Sequence, residues 1–337
     1  MVASSGVSPD VFSDHVPIET MRAIAVVMLV SYHVVGMSPG TGLDISYPHP
    51  LRLYADFFVD LRMPFFAFIA GYIYALRPVS LEHYAGFVTG KLRRLYLPGA
   101  VAITAFAVSA NLLGNRFSMA WTDIWYVILH SYAHFWFLQA ILVIFVVFGL
   151  WDALLNRRYT GFVLLLSLVI YLSNFHFGTQ FFSVDSAMYL LPFFLLGVFA
   201  VRHAAQLAKD AVPFKVLLVL ICAACVLWNA KVYYDTGAFS LYRRDLQSLG
   251  FGFSACLLAI LWLPRWHVLE RLSPYAFTVY LYHIFGTSGS RMLCNGIGIA
   301  DTELRFALGV MAGLALPVLI HRAALRSPAT SRLVLGR

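Results

Sequence analysis

The sequence predicts an all-α polytopic membrane protein, built as a bundle of about ten transmembrane helices. Of its 337 residues, 61% are hydrophobic and 12% are charged, which is roughly half the charge of a typical soluble protein. Long apolar windows also recur from one end of the chain to the other, as is typical of consecutive membrane spans. We therefore expect a single membrane domain over residues 1–337, with a short N-terminal tail (1–15) and a basic C-terminal tail (323–337).

The apolar windows define the expected spans in chain order. At about 1.5 Å of rise per residue, each is long enough to cross most of a bilayer's hydrocarbon core. Pro64, Gly71, Pro192 and Gly197 fall inside spans, which membrane helices tolerate where neighbouring helices satisfy the freed backbone groups. The ten expected spans cover residues 18–38, 55–76, 95–113, 134–152, 160–175, 186–202, 213–231, 248–264, 272–290 and 304–322.

The basic residues predict how this bundle is oriented. If the N-terminus lies inside, the inner segments hold fifteen Lys and Arg residues and the outer segments hold eight. The excess predicts that both termini are cytoplasmic. Because the net charge of +8 is spread over these loops, it does not indicate a nucleic-acid partner. The four cysteines form no disulfide framework, and no zinc-ligand spacing is present, so we expect no metal.

The first span carries two ionisable side chains at different depths. Arg22 and His33 are eleven residues apart, which returns them to nearly the same helix face and separates them by roughly 16 Å along the axis. Ionisable residues inside a membrane are costly and usually functional. His33 is a candidate general base or acyl acceptor, and Glu19, one turn before Arg22, is a candidate partner for that arginine.

A basic cluster precedes the third expected span. Lys91, Arg93 and Arg94 lie in the inner segment HYAGFVTGKLRRLYLPGA. Such a cluster binds phosphates through charge and through the planar guanidinium fork, or it anchors the topology against anionic lipid heads. Because Arg22 would face the same cytoplasmic mouth, a nucleotide-phosphate cofactor entering there would meet four cations.

Six short motifs, in this order, make the chain resemble the membrane acyltransferase 3 family, the polytopic O-acyltransferases of surface glycans. They are an acidic residue, Arg and His on the first helix, a Pro-Phe-Phe run ending in Gly-Tyr, a basic segment before a proline, His-x-Trp-Phe-Leu, Pro-Phe-Phe-x-x-Gly and a late Tyr-x-x-His. In this chain they are Glu19, Arg22 and His33; Pro64, Phe65, Phe66, Gly71 and Tyr72; Lys91, Arg94 and Pro98; His134, Trp136, Phe137 and Leu138; Pro192 to Gly197; and Tyr280 and His283.

The resemblance implies a bacterial inner-membrane O-acyltransferase that uses cytoplasmic acetyl-CoA, or another acyl-CoA. Its acceptor would be a hydroxyl of a surface or exopolysaccharide glycan or of a lipid-linked precursor, and membrane lipids and polysaccharide-assembly proteins would be its other partners. His33 would be the catalytic base or acyl relay, with Glu19 orienting Arg22. Arg22, Lys91, Arg93 and Arg94 would bind the donor, and the substrate-binding candidates are Tyr72, His134, Trp136 and His283.

Two positions depart from the family's pattern. The family's Arg-x-x-Arg pair is Lys91 and Arg94 here, so one bidentate phosphate contact becomes a point charge. Some branches carry a carboxylate five residues after the tryptophan of the His-x-Trp motif, where this chain has Ile141. Any role of that carboxylate is therefore absent or filled by another residue.

Two outer features are open to more than one interpretation. The loop KVYYDTGAFSLYRRDLQ contains Tyr233, Tyr234, Tyr242, Arg243, Arg244 and Asp245. It is either an ordinary aromatic belt or a platform for sugar rings. Asp56, Asp60 and Arg62 flank the second span as candidates for an interfacial ion pair.

Two other function classes remain alongside the acyltransferase. A transporter or flippase for a glycan or a small anion would also place charges at mid-depth, but it would release no CoA thiol. A membrane sensor or scaffold would depend on His33 only for stability.

Overall fold

A computed structural model describes residues 16–204 and 211–337 as a helical bundle; the expected N-terminal tail (1–15) lies outside the described residues. Within the described ranges the structure contains no β-strand, only one isolated bridge between His130 and Phe181. The long helices are α1 (Ile18–Val35), α2 (Pro50–Phe57), α3 (Val59–Leu76), α4 (Leu81–Leu113), α5 (Trp136–Leu154), α6 (Thr160–Leu172), α7 (Val184–Arg202), α8 (Ala211–Thr236), α9 (Leu246–Trp262), α10 (Ala276–Gly296) and α11 (Thr302–Ala324).

The all-helical prediction is confirmed for the described residues, and the helices include seven that are long and apolar enough to cross a membrane. These are α1, α3, α4, α5 with the short helix before it, α7, α8 and α11. Helix α9 passes the same test only together with the segment His267–Gly296, to which it is bent by 108°. Helix α6 has 13 residues. The expected count of ten spans and the cytoplasmic side of the termini therefore stay predictions.

The outer faces of the bundle are apolar. Phe162, Leu165 and Val169 on α6 are exposed, as are Leu220 and Leu227 on α8. An exposed apolar surface of this extent marks contact with lipid or with other protein. Together with the seven apolar helices, it makes the chain a multi-pass membrane protein.

Helix α1 lies in the middle of the bundle and packs against α3, α10 and α11. Helices α3 and α7 cross closely, and the crossing depends on two glycines. A Cβ added to Gly71 would lie 1.9 Å from the carbonyl oxygen of Phe194, and one added to Gly197 would lie 2.1 Å from that of Phe68. This close backbone approach explains why small residues occupy both positions, as in other packed membrane helices.

The bundle has two ends, which we name after residues of α1: the Arg22 end and the His33 end. The described chain begins and finishes at the Arg22 end. The C-terminal segment Ser331–Leu335 folds back there onto α4, where Gly336 contacts the backbone of Arg93 and Arg94. Leu335 is buried. The last residues of the expected C-terminal tail (323–337) are therefore packed on α4.

The expected boundary of the third span is wrong. Lys91, Arg93 and Arg94 do not lie in a loop; they are inside α4, which continues from Leu81 to Leu113 through a π-helical segment, Leu92–Tyr96. The π turn directly precedes Pro98, whose missing N–H leaves the regular hydrogen-bond pattern interrupted at this point. Segments of this kind occur frequently at functional sites.

Candidate active site

A cavity of about 680 Å³ opens at the Arg22 end, between α1, α3, α4, α5 and α10. Aromatic and aliphatic side chains line its deep part, including Phe66, Phe137, Ile141 and Tyr280. Its mouth is basic, and the cations that line it are Arg22, Arg77, Lys91, Arg93 and Arg94. A cavity with a cationic mouth and an apolar interior suits a ligand with an anionic head and a long, less polar arm.

Arg22 is held in place by two neighbours. Its Nη1 atom donates to both carboxylate oxygens of Glu19, at 3.2 and 2.9 Å, and to Ser273 Oγ at 3.0 Å. Ser273, just before α10, also donates to Glu19. Glu19 thus contacts Arg22 as expected, but it lies fourteen residues, or about 21 Å of helix, from His33. Its place is that of a positioning residue for Arg22.

The Lys91 ammonium lies against aromatic rings. Its Nζ atom is 3.5 Å from the ring centroid of Phe145 and 5.3 Å from that of Phe87. The rings stabilise the cation through their π faces and hold it at the cavity wall. Arg93 and Arg94, on the π-helical segment, line the same wall. The structure therefore brings together all four predicted donor-binding residues.

A second cavity, of about 660 Å³, opens at the His33 end. Its polar lining includes His33, His134, Ser288, Arg116 and Arg291. This lining offers imidazole nitrogens, a hydroxyl group and guanidinium groups at one place. It suits a polar ligand that carries hydroxyl groups.

Three histidines from three helical segments meet beside this second cavity: His33 and His134 line it, and His283 is fully buried against both. The ring centroids of His33 and His283 are 4.9 Å apart, those of His134 and His283 are 4.9 Å apart, and those of His33 and His134 are 5.7 Å apart. His134 begins the turn before α5, and His283 lies on α10. The sequence named all three as separate candidates, and the fold makes them one cluster.

The hydrogen bonds of His283 define its tautomer. Its Nδ1 atom lies 2.8 Å from the carbonyl oxygen of Val279 and 3.0 Å from that of Tyr280. Because both partners only accept, Nδ1 carries the proton, and Nε2 of the neutral ring is an acceptor. The buried Nε2 atoms of His283 and His134 have no hydrogen-bond partner among the described residues. Two unpaired polar atoms therefore lie beside His33, and buried polar atoms without a partner are the exception in folded proteins.

Tyr280 joins the walls of the two cavities. Its ring lines the cavity at the Arg22 end, and its hydroxyl donates to the backbone oxygen of His134 at 2.7 Å. His134 in turn lines the cavity at the His33 end. A residue that lines one cavity is therefore hydrogen-bonded to a residue that lines the other.

A protein-family model, the acyltransferase domain of the acyltransferase 3 family, matches residues 16–322 of the chain. The chain belongs to the acyltransferase 3 family. No curated protein and no solved structure matches the chain. The match covers both cavities and the histidine cluster, and with the apolar helices it makes the chain a multi-pass membrane acyltransferase.

The end of α1 that carries His33 in this acyltransferase is fixed by a buried arginine. Arg52 donates to the carbonyl oxygens of Gly36 at 2.9 Å and Ile45 at 3.2 Å, and its Nη1 atom lies 3.3 Å from Asp56 Oδ1. Burial raises the pKa of Tyr47, whose hydroxyl donates to Asp56 Oδ2 at 2.9 Å. A cation at a helix C-terminus is favoured by the helix dipole and by its unpaired carbonyls. Arg52 therefore holds the helix turn that follows His33.

The expected ion pair among Asp56, Asp60 and Arg62 is wrong. Asp56 pairs with Arg52, one helical turn earlier on α2. Arg62 lies over the ring of Tyr32, with 3.4 Å from Cζ to the ring centroid. Asp60 is buried, and neither of its oxygens forms a hydrogen bond within the described part of the chain. The helix is interrupted at Phe58, between α2 and α3. Helical spacing therefore does not continue from Asp56 to Asp60 and Arg62.

Two predicted substrate-binding residues, Tyr72 and Trp136, line other cavities. Tyr72 lines a smaller cavity of about 460 Å³ at the Arg22 end, next to Glu19 and Arg22. Trp136 lines a cavity of about 690 Å³ at the His33 end, together with Arg243 and Arg244. Neither lines the cavity that contains His33.

Three arginines at the cavities were not among the predicted site residues: Arg77, Arg116 and Arg291. Arg77 and Arg116 lie just beyond the ends of α3 and α4, and Arg291 lies in the second half of α10. The up-and-down order of the helices is the signal that could have found them, because it places Arg77 at the end of Arg22 and the other two at the end of His33. As for metals, the described residues contain no group of three His, Cys, Asp or Glu side chains that could hold an ion, and the absence of a metal stays a prediction.

Proposed function

We propose that this acyltransferase moves an acetyl group from acetyl-CoA to a hydroxyl of a cell-surface glycan, an exopolysaccharide or their lipid-linked precursor, in a bacterial inner membrane. The observation that carries the proposal is the pair of cavities that approach from opposite ends and meet at Tyr280 and the histidine cluster.

The donor would enter at the Arg22 end, which the basic-residue count predicts to be cytoplasmic. CoA has phosphates at one end, a flexible pantetheine arm and a terminal thioester. Its phosphates fit the five cations at the mouth, and its arm fits the apolar walls. The roughly 16 Å of helix between Arg22 and His33 suits an extended arm, so the thioester would reach Tyr280 while the phosphates stay at the surface.

The transfer step would take place beside His33. A hydroxyl of the acceptor, in the cavity at the His33 end, gives its proton to a ring nitrogen of His33 as its oxygen attacks the thioester carbonyl carbon. The C–O bond forms, the C–S bond breaks, and the CoA thiolate leaves with the electron pair and takes up a proton. In the second route, the His33 nitrogen attacks the thioester carbonyl carbon first, the C–S bond breaks, and the CoA thiolate leaves from an acyl-imidazole. The acceptor oxygen then attacks the acyl carbon, the C–N bond breaks, the imidazole is regenerated, and the hydroxyl proton goes to the thiolate or to water.

The remaining groups of the cluster would stabilise this step. Arg116 and Arg291 line the cavity on the side of His33, where a cation favours the negative charge that develops on the carbonyl oxygen. The unprotonated Nε2 atom of His283 would accept a hydrogen bond from a hydroxyl group of the glycan. Both routes use the same residues and differ in whether an acyl-histidine forms.

The experiment that tests the proposal is acetyl-CoA binding and thiol release by the purified protein in detergent. Wild type is compared with His33→Ala and Arg22→Ala. We expect slow thiol release that requires His33 and donor binding that weakens without Arg22. If well-folded wild-type protein binds no acetyl-CoA, the proposal is wrong and the transporter becomes the better hypothesis.

A further inference from the structure

The third large cavity is not used by the proposed transfer. It measures about 690 Å³ and lies at the His33 end, between the start of α5, the start of α7 and the loop before α9. Its lining combines aromatic rings, hydroxyl and amide groups and charged groups, and includes Trp136, Gln180, Asp185, Tyr189, Arg243 and Arg244. Rings with polar edges beside them are the surroundings that sugar rings prefer, because each sugar has apolar C–H faces and a rim of hydroxyls.

This cavity adjoins the one that contains His33. Ala133 belongs to the walls of both cavities, and the short helix Ala133–Phe135 separates them. His134 on that helix faces the His33 cavity, whereas Trp136 lines the third one. A chain of sugars with one unit at His33 would therefore place a neighbouring unit in the third cavity.

The loop that carries the arginines is firmly docked. The buried hydroxyl of Tyr171 donates to the backbone oxygen of Arg243. The Arg244 guanidinium donates to the carbonyl oxygens of Phe175 and Asp185, both at 2.7 Å. Asp245 caps α9 through the backbone N–H of Ser248 at 2.7 Å. The hydrogen bonds of Arg244 and Asp245 thus stabilise the loop, and the fixed loop places Arg243 in the cavity wall.

The charges at the cavity favour one negative charge on the ligand. Asp185 is already used, since its oxygens accept from the backbone N–H groups of Phe177 at 2.6 Å and Thr179 at 2.9 Å. The guanidinium of Arg243 forms no hydrogen bond or ion pair with the residues that the structure describes, although it interacts electrostatically with the buried Asp60. The N–H donors of the Arg243 guanidinium are therefore available to a ligand, and a carboxylate can accept two of their hydrogen bonds at once.

We infer that this cavity is a subsite for a carboxylate-bearing sugar unit, one that neighbours the acylated unit in the acceptor glycan. Arg243 binds the carboxylate, and Trp136 and Tyr189 contact the sugar ring. The inference rests on the proposed function in one respect, namely that the bound sugar belongs to the glycan that receives the acyl group. Binding of the sugar does not itself require acyl transfer.

The direct test compares two probes that differ only at the carboxylate. Binding of methyl β-D-glucuronide and of methyl β-D-glucoside to the full-length protein in detergent is followed by saturation-transfer NMR, which detects weak ligands. We expect saturable binding of the glucuronide and at least about tenfold weaker binding of the glucoside, the loss that one charge-assisted contact represents.

Two variants and a matched control identify the contact. In Arg243→Gln the glucuronide should bind at least about tenfold more weakly, and Arg243→Lys should recover part of the affinity because it keeps the charge without the fork. Lys231→Gln removes one positive charge from an exposed ion pair at the same end and should leave binding unchanged. A thermal unfolding curve shows that each variant is folded.

Three outcomes would overturn the inference: equal binding of the two glycosides, equal binding of the glucuronide by wild type and Arg243→Gln, or stronger binding of inorganic phosphate than of the glucuronide. Acetyl-CoA consumption by wild type is measured in parallel. If the glucuronide binds through Arg243 but no acetyl-CoA is consumed, the subsite stands and the proposed function fails. If acetyl-CoA is consumed but no glycoside binds, only the subsite fails.

Discussion

The two cavities that meet at Tyr280 differ in what lines them and in what they can do. The one at the Arg22 end combines five cations with otherwise largely apolar walls, which suits binding of a long anionic molecule. The one at the His33 end combines rings such as Phe106 with two imidazoles, a hydroxyl group and two guanidinium groups, and it lies beside the histidine cluster. The difference indicates that donor affinity and transfer chemistry reside at different depths, so mutations should separate them.

The largest effect is expected from His33→Ala. If His33 is the base or the acyl relay, acyl transfer should fall by about 10²–10⁴-fold, while acetyl-CoA binding persists because the donor's phosphates bind at the other end. The measurement is acceptor-dependent release of CoA thiol alongside a donor-binding isotherm. His176→Ala removes an exposed histidine from the same end as a control. Full transfer by His33→Ala would remove this residue from the mechanism.

The next effect concerns the opposite end. Arg22→Ala should raise the Kd for acetyl-CoA by roughly tenfold to a hundredfold, since a charge-assisted hydrogen bond contributes about 1.5–3 kcal/mol. Acceptor affinity should not change. Calorimetric titration with acetyl-CoA measures the shift, and Arg158→Ala, in the exposed loop after α5 at the same end, is the matched control. Equal donor affinity in Arg22→Ala and wild type would show that the phosphates bind elsewhere.

A smaller effect is expected at the contact between Tyr280 and His134. Tyr280→Phe removes the hydrogen bond to the backbone of His134, which is worth about 1 kcal/mol. We expect transfer to fall about fivefold with donor affinity nearly intact, because His134 loses its tie to α10. Single-turnover kinetics separates the two quantities. A variant that loses donor affinity but not transfer would place Tyr280 in the donor site alone.

The smallest effect tests the departure from the family's basic pair. Lys91→Arg restores a planar fork where the structure has an ammonium on Phe145. We expect acetyl-CoA to bind roughly twofold to fivefold more tightly, as read from the same titration. Weaker binding would mean that the position of the lysine on the ring, rather than a phosphate contact, is what this chain requires.

Sequence reasoning was most accurate where the evidence is local. The helix of Arg22 and His33 begins at the expected residue, because hydropathy and a 3.6-residue period act over short distances. It was wrong at Lys91, Arg93 and Arg94, where a run of polar residues resembles a loop. In the structure that segment is helical, and the ammonium group of Lys91 lies against Phe145 of α5, a contact that the local sequence does not show. It was also wrong for Asp56, which pairs with Arg52 one turn earlier on the same short helix, α2, rather than with a residue of α3.

By itself the sequence determined the membrane class, the all-helical fold, the family and the two ionisable residues on α1. These follow from composition, periodicity and short motifs, which depend on residues that are close together in the sequence. Only the tertiary structure decided that His134 and His283 meet His33, that five cations share one mouth, and that Arg243 lines a cavity beside the cluster. The physical reason is that these contacts join helices far apart in the chain, and their geometry depends on how the whole bundle packs.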